Sequence, residues 1–208
     1  MKLYLSSYKL GNSPEKFKEL VGKHDAKVAI IDNALDYSDD LERKALSLEN
    51  ELSDMISLGF LPEHLDLRDY FEYNNALVEK LKKFDAVWVR GGNAFILMKA
   101  MKQSGFDKVI KELVKTNKLV YAGYSAALCV IGPTLDGVEL VDDVHAKAEG
   151  YEDEVIWDGY GLIDFYPIVH YKSNHPESEL VEKELAYVRS KNRAYKTLRD
   201  GDVYIVNT

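Results

Sequence analysis

Hydrophobic positions in this chain fall into two kinds of segment. Uninterrupted apolar runs are typical of strands buried on both faces of a parallel sheet. Apolar residues at three- and four-residue spacing are typical of amphipathic helices. Runs of this kind, with polar residues only at or near their ends, predict strands at residues 2–6, 27–31, 84–89 and 119–122, and Leu65-Asp66-Leu67 is predicted as a further short strand. The spaced segments and their caps predict helices at residues 15–21, 39–58, 76–81, 94–103, 106–116 and 177–191.

The regular alternation of strands and helices predicts an α/β fold, with a doubly wound, mostly parallel sheet flanked by helices and right-handed crossovers. No Gly/Ser linker, low-complexity tract or internal repeat interrupts it, so residues 1–208 are expected to form a single domain. In the long second helix the predicted buried stripe is Leu41, Ala45, Leu48, Leu52 and Ile56. Near the C-terminus, segments 194–198 and 202–206 predict a hairpin around Asp200-Gly201.

Binding sites in such sheets gather where the parallel strands end. Three predicted loops lie at that edge: Asn33-Ala34, Arg90-Gly91-Gly92-Asn93 and Gly123-Tyr124-Ser125. The paired glycines allow backbone N–H groups to point at a ligand without obstruction by side chains. Neither a G-x-G-x-x-G pattern nor a Lys-Ser/Thr pair follows them, which argues against nucleotide binding.

The third of these loops has the layout of a nucleophile elbow. A buried strand runs into Gly123-Tyr124-Ser125-Ala126-Ala127, and small residues then begin a helix. On such a turn the serine hydroxyl is exposed, and the next backbone N–H groups face the reacting oxygen. The strict pattern is G-x-S-x-G, and Ala127 occupies its last position. The alternative interpretation is a tight turn in which Ser125 caps the helix.

Composition narrows the functional classes. The 35 acidic and 27 basic residues give a formal net charge of −8, which argues against nucleic acid or an anionic membrane as a partner. The single cysteine, Cys129, rules out an internal disulfide and lies in an apolar run, as expected of an inert thiol in a reducing compartment. With no signal-peptide pattern at the start and no long apolar span, we expect a cytoplasmic protein.

One histidine stands out beyond the elbow. An acidic, turn-rich stretch (residues 136–154) is expected to be a solvated surface, and the apolar segment 159–171 then carries His170 near its end. A histidine at a strand end is structural or catalytic, and the sequence alone leaves both open. His145 and His175 lie in polar stretches and rank below it as candidate bases.

Taken in order, these motifs resemble the peptidase E family of serine peptidases, which includes aspartyl dipeptidases and, more distantly, cyanophycinase. The resemblance covers most of the chain and rests on five segments: Leu5-Ser6-Ser7, Ile30-Ile31-Asp32-Asn33-Ala34, Arg90-Gly91-Gly92-Asn93, Gly123-Tyr124-Ser125-Ala126, and Gly161 to Tyr171. It implies a flavodoxin-like, class I glutamine amidotransferase-like fold. It also implies an enzyme that hydrolyses short peptides without a metal or another cofactor, as a monomer or homodimer.

The resemblance assigns roles to particular residues. Ser125 would be the nucleophile and His170 its general base, with the backbone N–H groups of Gly92 and Ala126 forming the oxyanion hole. The third member of the triad would be an acid between Ser125 and His170. Asp143 is our choice for it, and Asp142 and Glu139 are the alternatives. The residues expected to contact substrate are Arg90, Gly91, Asn93 and Tyr124.

Departures from the family pattern limit what the resemblance implies. Ala94 stands where a threonine commonly follows G-G-N, and Ala127 replaces the second glycine of the elbow. Dipeptidases specific for N-terminal aspartate carry an arginine-rich segment after the histidine, and this chain lacks it. The cations that remain as candidates to bind a substrate carboxylate are Lys172, just after His170, and Arg90. The alternatives are a non-catalytic binding protein that keeps the fold and, more weakly, a glutaminase, which would need cysteine at position 125.

Overall fold

A computed structural model of the chain describes residues 1–71 and 74–208. The strands are β1 (Lys2–Ser6), β2 (Lys27–Ile31), β3 (Leu61–His64), β4 (Ala86–Val89), β5 (Val120–Tyr124), β6 (Tyr166–Ile168), β7 (Tyr195–Thr197) and β8 (Val203–Asn207). The helices are α1 (Pro14–Val21), α2 (Leu41–Ser57), α3 (Asn74–Leu81), α4 (Ala94–Gln103), α5 (Phe106–Lys115), α6 (Ala126–Ile131) and α7 (Ser178–Ser190).

Six strands form the central sheet in the order β3-β2-β4-β5-β1-β8. All neighbours pair in parallel except β8, which runs antiparallel to β1 at the sheet edge. β6 and β7 form a separate two-stranded parallel sheet. The predicted mostly parallel sheet flanked by helices is therefore confirmed. Because β1, β2, β4 and β5 point the same way, the loops that follow them meet at one edge.

Each face of the sheet carries its own hydrophobic core. Alternate strand residues such as Tyr4, Ile30 and Trp88 pack with apolar residues of α1 and α2. Their neighbours in the strands, such as Leu5 and Val89, pack with α3 to α7 on the opposite face. Burial on both faces explains why the central strands read as unbroken apolar runs. Among the described helices none combines the length and the apolar character needed to cross a bilayer.

The predicted buried stripe of α2 is wrong in most of its members. Leu41 and Ile56 are 73% and 62% exposed, and Leu48 and Leu52 are only partly buried. The residues that α2 buries are Glu51 and Met55. The face of α2 that meets the sheet is the one that carries Glu51, because Trp88 and Tyr124 donate hydrogen bonds to this side chain. The spacing of apolar residues cannot predict such a polar contact.

Two predicted β elements also need correction. The third strand is residues 61–64 rather than 65–67, and Leu67–Tyr70 is a short 3-10 helix held by the side chains of Asn33 and Asp66. The segments around Asp200-Gly201 do not form a hairpin. β7 pairs with β6 and β8 with β1, so the turn at Asp200 joins two sheets.

Helix α7 buries a carboxyl group against the smaller sheet. The Tyr166 hydroxyl donates to Glu184 Oε1 at 2.8 Å, and Glu184 is 3% exposed. Burial raises the pKa of Glu184 to about 8. The folded state therefore disfavours the ionised form of Glu184. Its unfavourable contribution is absent below the unfolded pKa near 4.5, grows as the pH rises from there, and is complete above about pH 8.

Replacing Glu184 with glutamine should remove this pH dependence while keeping the oxygen that Tyr166 needs. We expect Glu184→Gln to unfold at a higher urea concentration than wild type at pH 9, by a free energy on the order of 5 kcal/mol, and to converge with it below about pH 4.5. Exposed Glu182 on the same helix provides the control, Glu182→Gln, which should follow the wild-type curve. A Glu184→Gln curve parallel to wild type across this range would contradict the argument.

Candidate active site

The loops that follow the parallel strands surround a cavity of about 760 Å³. Its lining includes residues that come directly after β1, β4 and β5 (Tyr8, Gly91, Gly92 and Ser125), the loop between α6 and β6, and one side of α2. His170 and Asp200 reach the same space from the C-terminal third of the chain. The sequence analysis placed Gly91, Gly92 and Ser125 at this edge correctly because strand direction fixes it, whereas Tyr8 was not predicted there.

Ser125 has a strained backbone. Its φ and ψ are 52° and −112°, a combination that residues with a side chain rarely adopt and that costs about 1–3 kcal/mol. Its hydroxyl makes no capping bond to α6, so the alternative interpretation of Ser125 as a helix cap is wrong. The Ser125 N–H donates to Ser6 O of β1 at 3.2 Å, which fixes the turn to the sheet. This is the backbone geometry expected of a nucleophile elbow.

Glycines permit the close packing that keeps this turn in place. A Cβ on Gly123 would lie 2.3 Å from Val89 O and 2.7 Å from the Ala127 Cβ. A Cβ on Gly91 would lie 2.9 Å from the Ser125 Cβ. The methyl group of Ala127, where the strict motif has glycine, is therefore accommodated because Gly123 beside it has no side chain.

His170 lies directly against the serine. Its Nε2 is 3.1 Å from Ser125 Oγ, and its Nδ1 is 2.6 Å from Asp200 Oδ1. Because an ionised carboxylate only accepts hydrogen bonds, the proton of the neutral ring belongs on Nδ1, and Nε2 is free to accept from the hydroxyl. His170 itself is 2% exposed, with φ of 56°.

Buried Ser7 fixes His170 from the other end of the chain. The His170 N–H donates to Ser7 Oγ at 2.8 Å, and this hydroxyl lies 3.2 Å from both Leu198 O and Asp200 Oδ1. Ser7 was part of the resemblance to peptidase E, but no role could be assigned to it from the sequence. Its contacts give it one, since it ties the backbone of the histidine to the aspartate.

The choice of Asp143 as the acid beside His170 is not supported by the geometry, which brings Asp200 there instead. Asp143 Oδ1 accepts from the His145 N–H at 2.9 Å, and its carbonyl accepts from the Asn93 side chain. The resemblance implies an acid between Ser125 and His170. Asp200 instead follows both in the sequence, in the turn where the sequence predicts a hairpin.

The two alternative acids also have structural contacts. Asp142 Oδ2 accepts from the Ala94 N–H at 2.7 Å at the start of α4, and burial raises the pKa of Asp142 to about 7. Glu139 Oε2 accepts from the Gly137 N–H at 2.6 Å. Neither makes a hydrogen bond to His170. Asp142 thus ties the loop after α6 to the start of α4, and Glu139 stabilises a turn within that loop.

The two predicted oxyanion-hole donors are available. Within the described chain, the N–H groups of Gly92 and Ala126 have no hydrogen-bond acceptor. Gly92 has φ of 149°, and a Cβ there would lie 2.6 Å from Ala34 O, so the backbone of this loop passes too close to Ala34 for any other residue. Unpaired N–H groups in the loop after β4 and directly after Ser125 are candidates to donate to a developing oxyanion.

Three of the residues predicted to contact substrate use their side chains for hydrogen bonds within the protein. Asn93 caps α4 through its Oδ1, which accepts from the N–H groups of Phe95 and Ile96 at 3.0 Å. The Tyr124 hydroxyl donates to Glu51 Oε1 at 2.6 Å. Arg90 Nε donates to Ser47 Oγ, and its guanidinium lies 3.8 Å from Glu51. All three line the cavity together with Gly91, but their side chains chiefly hold its walls.

The electrostatic surroundings suit His170 for accepting a proton. Burial lowers the pKa of His170, and the hydrogen bond from Nδ1 to Asp200 partly opposes that effect. Near neutral pH the ring is therefore uncharged, with Nε2 unprotonated and directed at the hydroxyl. A group in this state can serve as a general base.

One group of donor atoms has the composition of a metal site but not its geometry. Ligand atoms of His170, His175 and Glu177 lie within 4.8 Å of one another. The two imidazole rings, however, are stacked with 3.7 Å between centroids and 5° between planes. An ion in the plane of one ring lies far out of the plane of the other, so both lone pairs cannot point at it. As placed, these residues do not fit a metal centre.

A strained serine at the carboxyl edge of a parallel sheet, within hydrogen-bond reach of a buried histidine, is characteristic of α/β hydrolytic enzymes. The sequence comparison gives the family. The chain belongs to Peptidase family S51, which matches residues 6–206. The resemblance to peptidase E is thereby confirmed, and the chain is placed among peptidases.

Relatives agree with this assignment. The uncharacterized peptidase Lmo0363 of Listeria monocytogenes is 32% identical over 149 residues, covering 72% of this chain and 69% of that protein. The uncharacterized peptidase PM1590 of Pasteurella multocida is 25% identical over 168 residues, covering 74% and 77%.

Solved structures agree as well. A crystal structure from Listeria monocytogenes EGD-e, described as a candidate peptidase E, superposes with a TM-score of 0.75 at 26% identity, covering 100% of this chain and 98% of that one. A peptidase from an acI-B1 actinobacterium shares the fold, with a TM-score of 0.59 at 18% identity over 88% of this chain and 74% of that one. The expected flavodoxin-like, class I glutamine amidotransferase-like fold is confirmed.

The geometry makes a prediction about the two aspartates. Removing the charge of Asp200 should lower the pKa of His170 further, because its hydrogen bond favours the protonated ring, and should slow the reaction of Ser125 with a serine-directed phosphonate by at least about tenfold. We expect both effects in Asp200→Asn, measured by NMR titration of His170 and by labelling rate. Asp143→Asn is the matched control and should resemble wild type; the reverse pattern would restore Asp143.

Proposed function

We propose that this chain is a serine peptidase that hydrolyses short peptides through an acyl-enzyme, in the manner of a dipeptidase or exopeptidase. The observation that carries the proposal is the hydrogen-bonded series Ser125 Oγ, His170 Nε2 and Asp200 Oδ1, built on a strained turn. Ser125 is the nucleophile, His170 the general base and Asp200 the acid that orients it.

In the acylation step, Ser125 Oγ attacks the scissile carbonyl carbon while His170 Nε2 takes the hydroxyl proton. The N–H groups of Gly92 and Ala126 donate to the carbonyl oxygen as it becomes an oxyanion. His170 then gives its proton to the leaving amine, and the peptide bond breaks. Asp200 stabilises the imidazolium that exists between these two transfers.

In the deacylation step the same groups act on water. His170, neutral again, removes a proton from a water molecule that attacks the ester formed with Ser125. The tetrahedral intermediate collapses, the proton passes back to Ser125 Oγ, and the carboxylic acid product leaves. No other reactant is required. The lowered pKa of His170 suits both steps because the free ring stays unprotonated near neutral pH.

The dimensions of the cavity support small substrates. Its volume of about 760 Å³ lies within the range of small-ligand sites, about 300–1,000 Å³. Exposed side chains of Tyr8, Tyr37 and Leu46 form part of its wall and can pack against a peptide. A buried free thiol at Cys129 accords with action in a reducing compartment such as the cytoplasm.

The first functional prediction concerns the nucleophile. Ser125→Ala should fold like wild type, because the alanine fits the same turn, and should lose hydrolysis and phosphonate labelling by at least about a thousandfold. A screen of dipeptides and amino-acid p-nitroanilides with this variant as control tests it. Wild-type turnover in Ser125→Ala would remove Ser125 from the mechanism. Unlabelled wild-type protein would favour the non-catalytic binding protein.

Charges around the cavity bear on substrate preference. Three cations line it, against six carboxylates (Lys9, Arg43 and Arg90; Glu51, Asp54, Asp142, Asp143, Glu177 and Asp200). The charge of Arg90 is offset by Glu51, and Lys172 is not in the lining, since its ammonium lies over the Tyr171 ring. Arg43 has no ion pair with any residue that the structure describes, but it is exposed. A buried substrate carboxylate without a fixed cation is strongly disfavoured.

The second functional prediction follows from this charge balance. Dipeptides beginning with aspartate should be poor substrates, with kcat/KM at least about tenfold below the best neutral or polar first residue, a gap of about 1.4 kcal/mol in transition-state binding. A matched X-Leu series with Asp, Asn, Ala, Ser and Gly at X measures it. If Asp-Leu is fastest, Arg43→Met and Arg90→Met will show which cation binds it.

A further inference from the structure

His175 lies in a polar stretch of the sequence and is therefore predicted to be a surface residue, but in the structure it lines the candidate active site. Its imidazole covers the face of the His170 ring, with 3.7 Å between centroids and 5° between planes. It lines the cavity, and its side chain is 18% exposed. The contact is made by the whole face of the ring rather than by one of its nitrogens.

The chain makes a tight loop to bring these two rings together. His170 and Lys172 both have positive φ, 56° and 49°, which non-glycine residues seldom adopt. The Ser173 N–H donates to His170 O, and the Asp200 N–H donates to Ser173 Oγ at 2.8 Å. The same loop therefore carries the aspartate contact on one side and the stacking ring on the other.

His175 is itself held in place from two directions. The Glu177 N–H, just before α7, lies 3.4 Å from His175 Nδ1, and the Ser178 N–H donates to His175 O at 3.1 Å. The Tyr8 ring meets both imidazoles edge-on, with centroids 5.7 Å from His175 and 5.9 Å from His170. The stack is thus closed by a third aromatic side chain.

The reaction explains what such a surface can do. The two hydrogen bonds of His170 lie in its ring plane, so they leave rotation about the line joining Ser125 and Asp200 weakly restrained. A flat side chain against the ring face restrains that rotation. It also shields one face of His170 from water.

We propose that His175 is a positioning residue for the base of this enzyme: its ring face fixes the plane of His170, so that Nε2 stays directed at Ser125 while Nδ1 stays on Asp200. The assignment of His170 as the base rests on the proposed function. The stack itself rests on the geometry alone. His175 transfers no proton in this role.

The charged groups around the pair determine how pH enters. His170 faces Asp200 on the turn before β8, His175 and Glu177 on the loop before α7, and the Tyr8 ring after β1. Both carboxylates favour the protonated His170, whereas a positive charge on His175 disfavours it and lowers the pKa of His170. Replacing His175 with a neutral ring should therefore raise the pKa of His170 and move the acid limb of kcat/KM to higher pH.

The test compares His175→Phe, which keeps a flat ring, with His175→Ala, which removes it. We expect kcat and the phosphonate labelling rate of His175→Ala to fall at least about tenfold, with KM within about twofold, and those of His175→Phe to stay within about threefold of wild type. His145→Phe, at an exposed histidine, is the matched control and should behave as wild type. Circular dichroism checks the fold of every variant.

Two results would overturn the proposal: full activity in His175→Ala, or a folded His175→Phe as slow as His175→Ala, which would show that a nitrogen rather than the ring face matters. NMR of the His170 imidazole separates this proposal from the proposed function. The Nδ1 proton signal should persist in His175→Phe and weaken in His175→Ala even if no peptide is cleaved. Phosphonate labelling that persists in Ser125→Ala would contradict the proposed function, because Ser125 would not be the nucleophile, but it would leave the stacking of His175 on His170 untouched.

Discussion

The strained backbone of Ser125 is the constraint on which the rest of the site depends. A φ of 52° with ψ of −112° is unfavourable for serine, so the surrounding packing has to hold it. Ser6 O of β1 accepts the hydrogen bond from the Ser125 N–H. Gly91, in the loop after β4, packs against the Ser125 side chain, and Gly123 allows α6 to lie close to the sheet. These contacts require β1, β4 and β5 to be neighbours, which the strand order provides.

His170 and its partners join the two ends of the chain around that turn. Ser7 follows the first strand, Asp200 precedes the last one, and both touch His170. Because β8 pairs with β1, the closing strand brings the Asp200 turn to the carboxyl edge. The orientation of the histidine is consequently a property of the completed sheet, and it forms only when the C-terminal strand is in place.

Buried charge shapes the other wall of the cavity. Glu51 receives hydrogen bonds from Trp88 Nε1 and the Tyr124 hydroxyl, both at 2.6 Å, and lies close to Arg90. Burial raises the pKa of Glu51, and its two donors and Arg90 oppose that effect. One acidic side chain thereby anchors α2 to β4 and β5 and offsets the charge of an arginine at the cavity. Glu51 therefore affects both the position of α2 in the cavity wall and the net charge that a substrate meets there.

The sequence by itself determined the features that local patterns encode. Apolar runs gave the bounds of β1 and β2, and the turn residues and strand direction placed Gly91, Gly92 and Ser125 at one edge. The resemblance of the segment from Gly161 to Tyr171 to peptidase E, rather than its apolar pattern, pointed to His170 as the candidate base, although neither its strain nor its contacts could be foreseen.

Tertiary structure alone decided which polar groups meet. Asp200 is far along the chain from Ser125, and the pattern around it, Asp-Gly, is that of an ordinary turn. His175 lies in a polar stretch, and only the loop after His170 turns its ring onto the site. The buried face of α2 follows a hydrogen-bonded glutamate rather than its leucines. Hydrophobic periodicity records which residues avoid water, whereas hydrogen-bond and stacking partners depend on which distant segments the fold brings together.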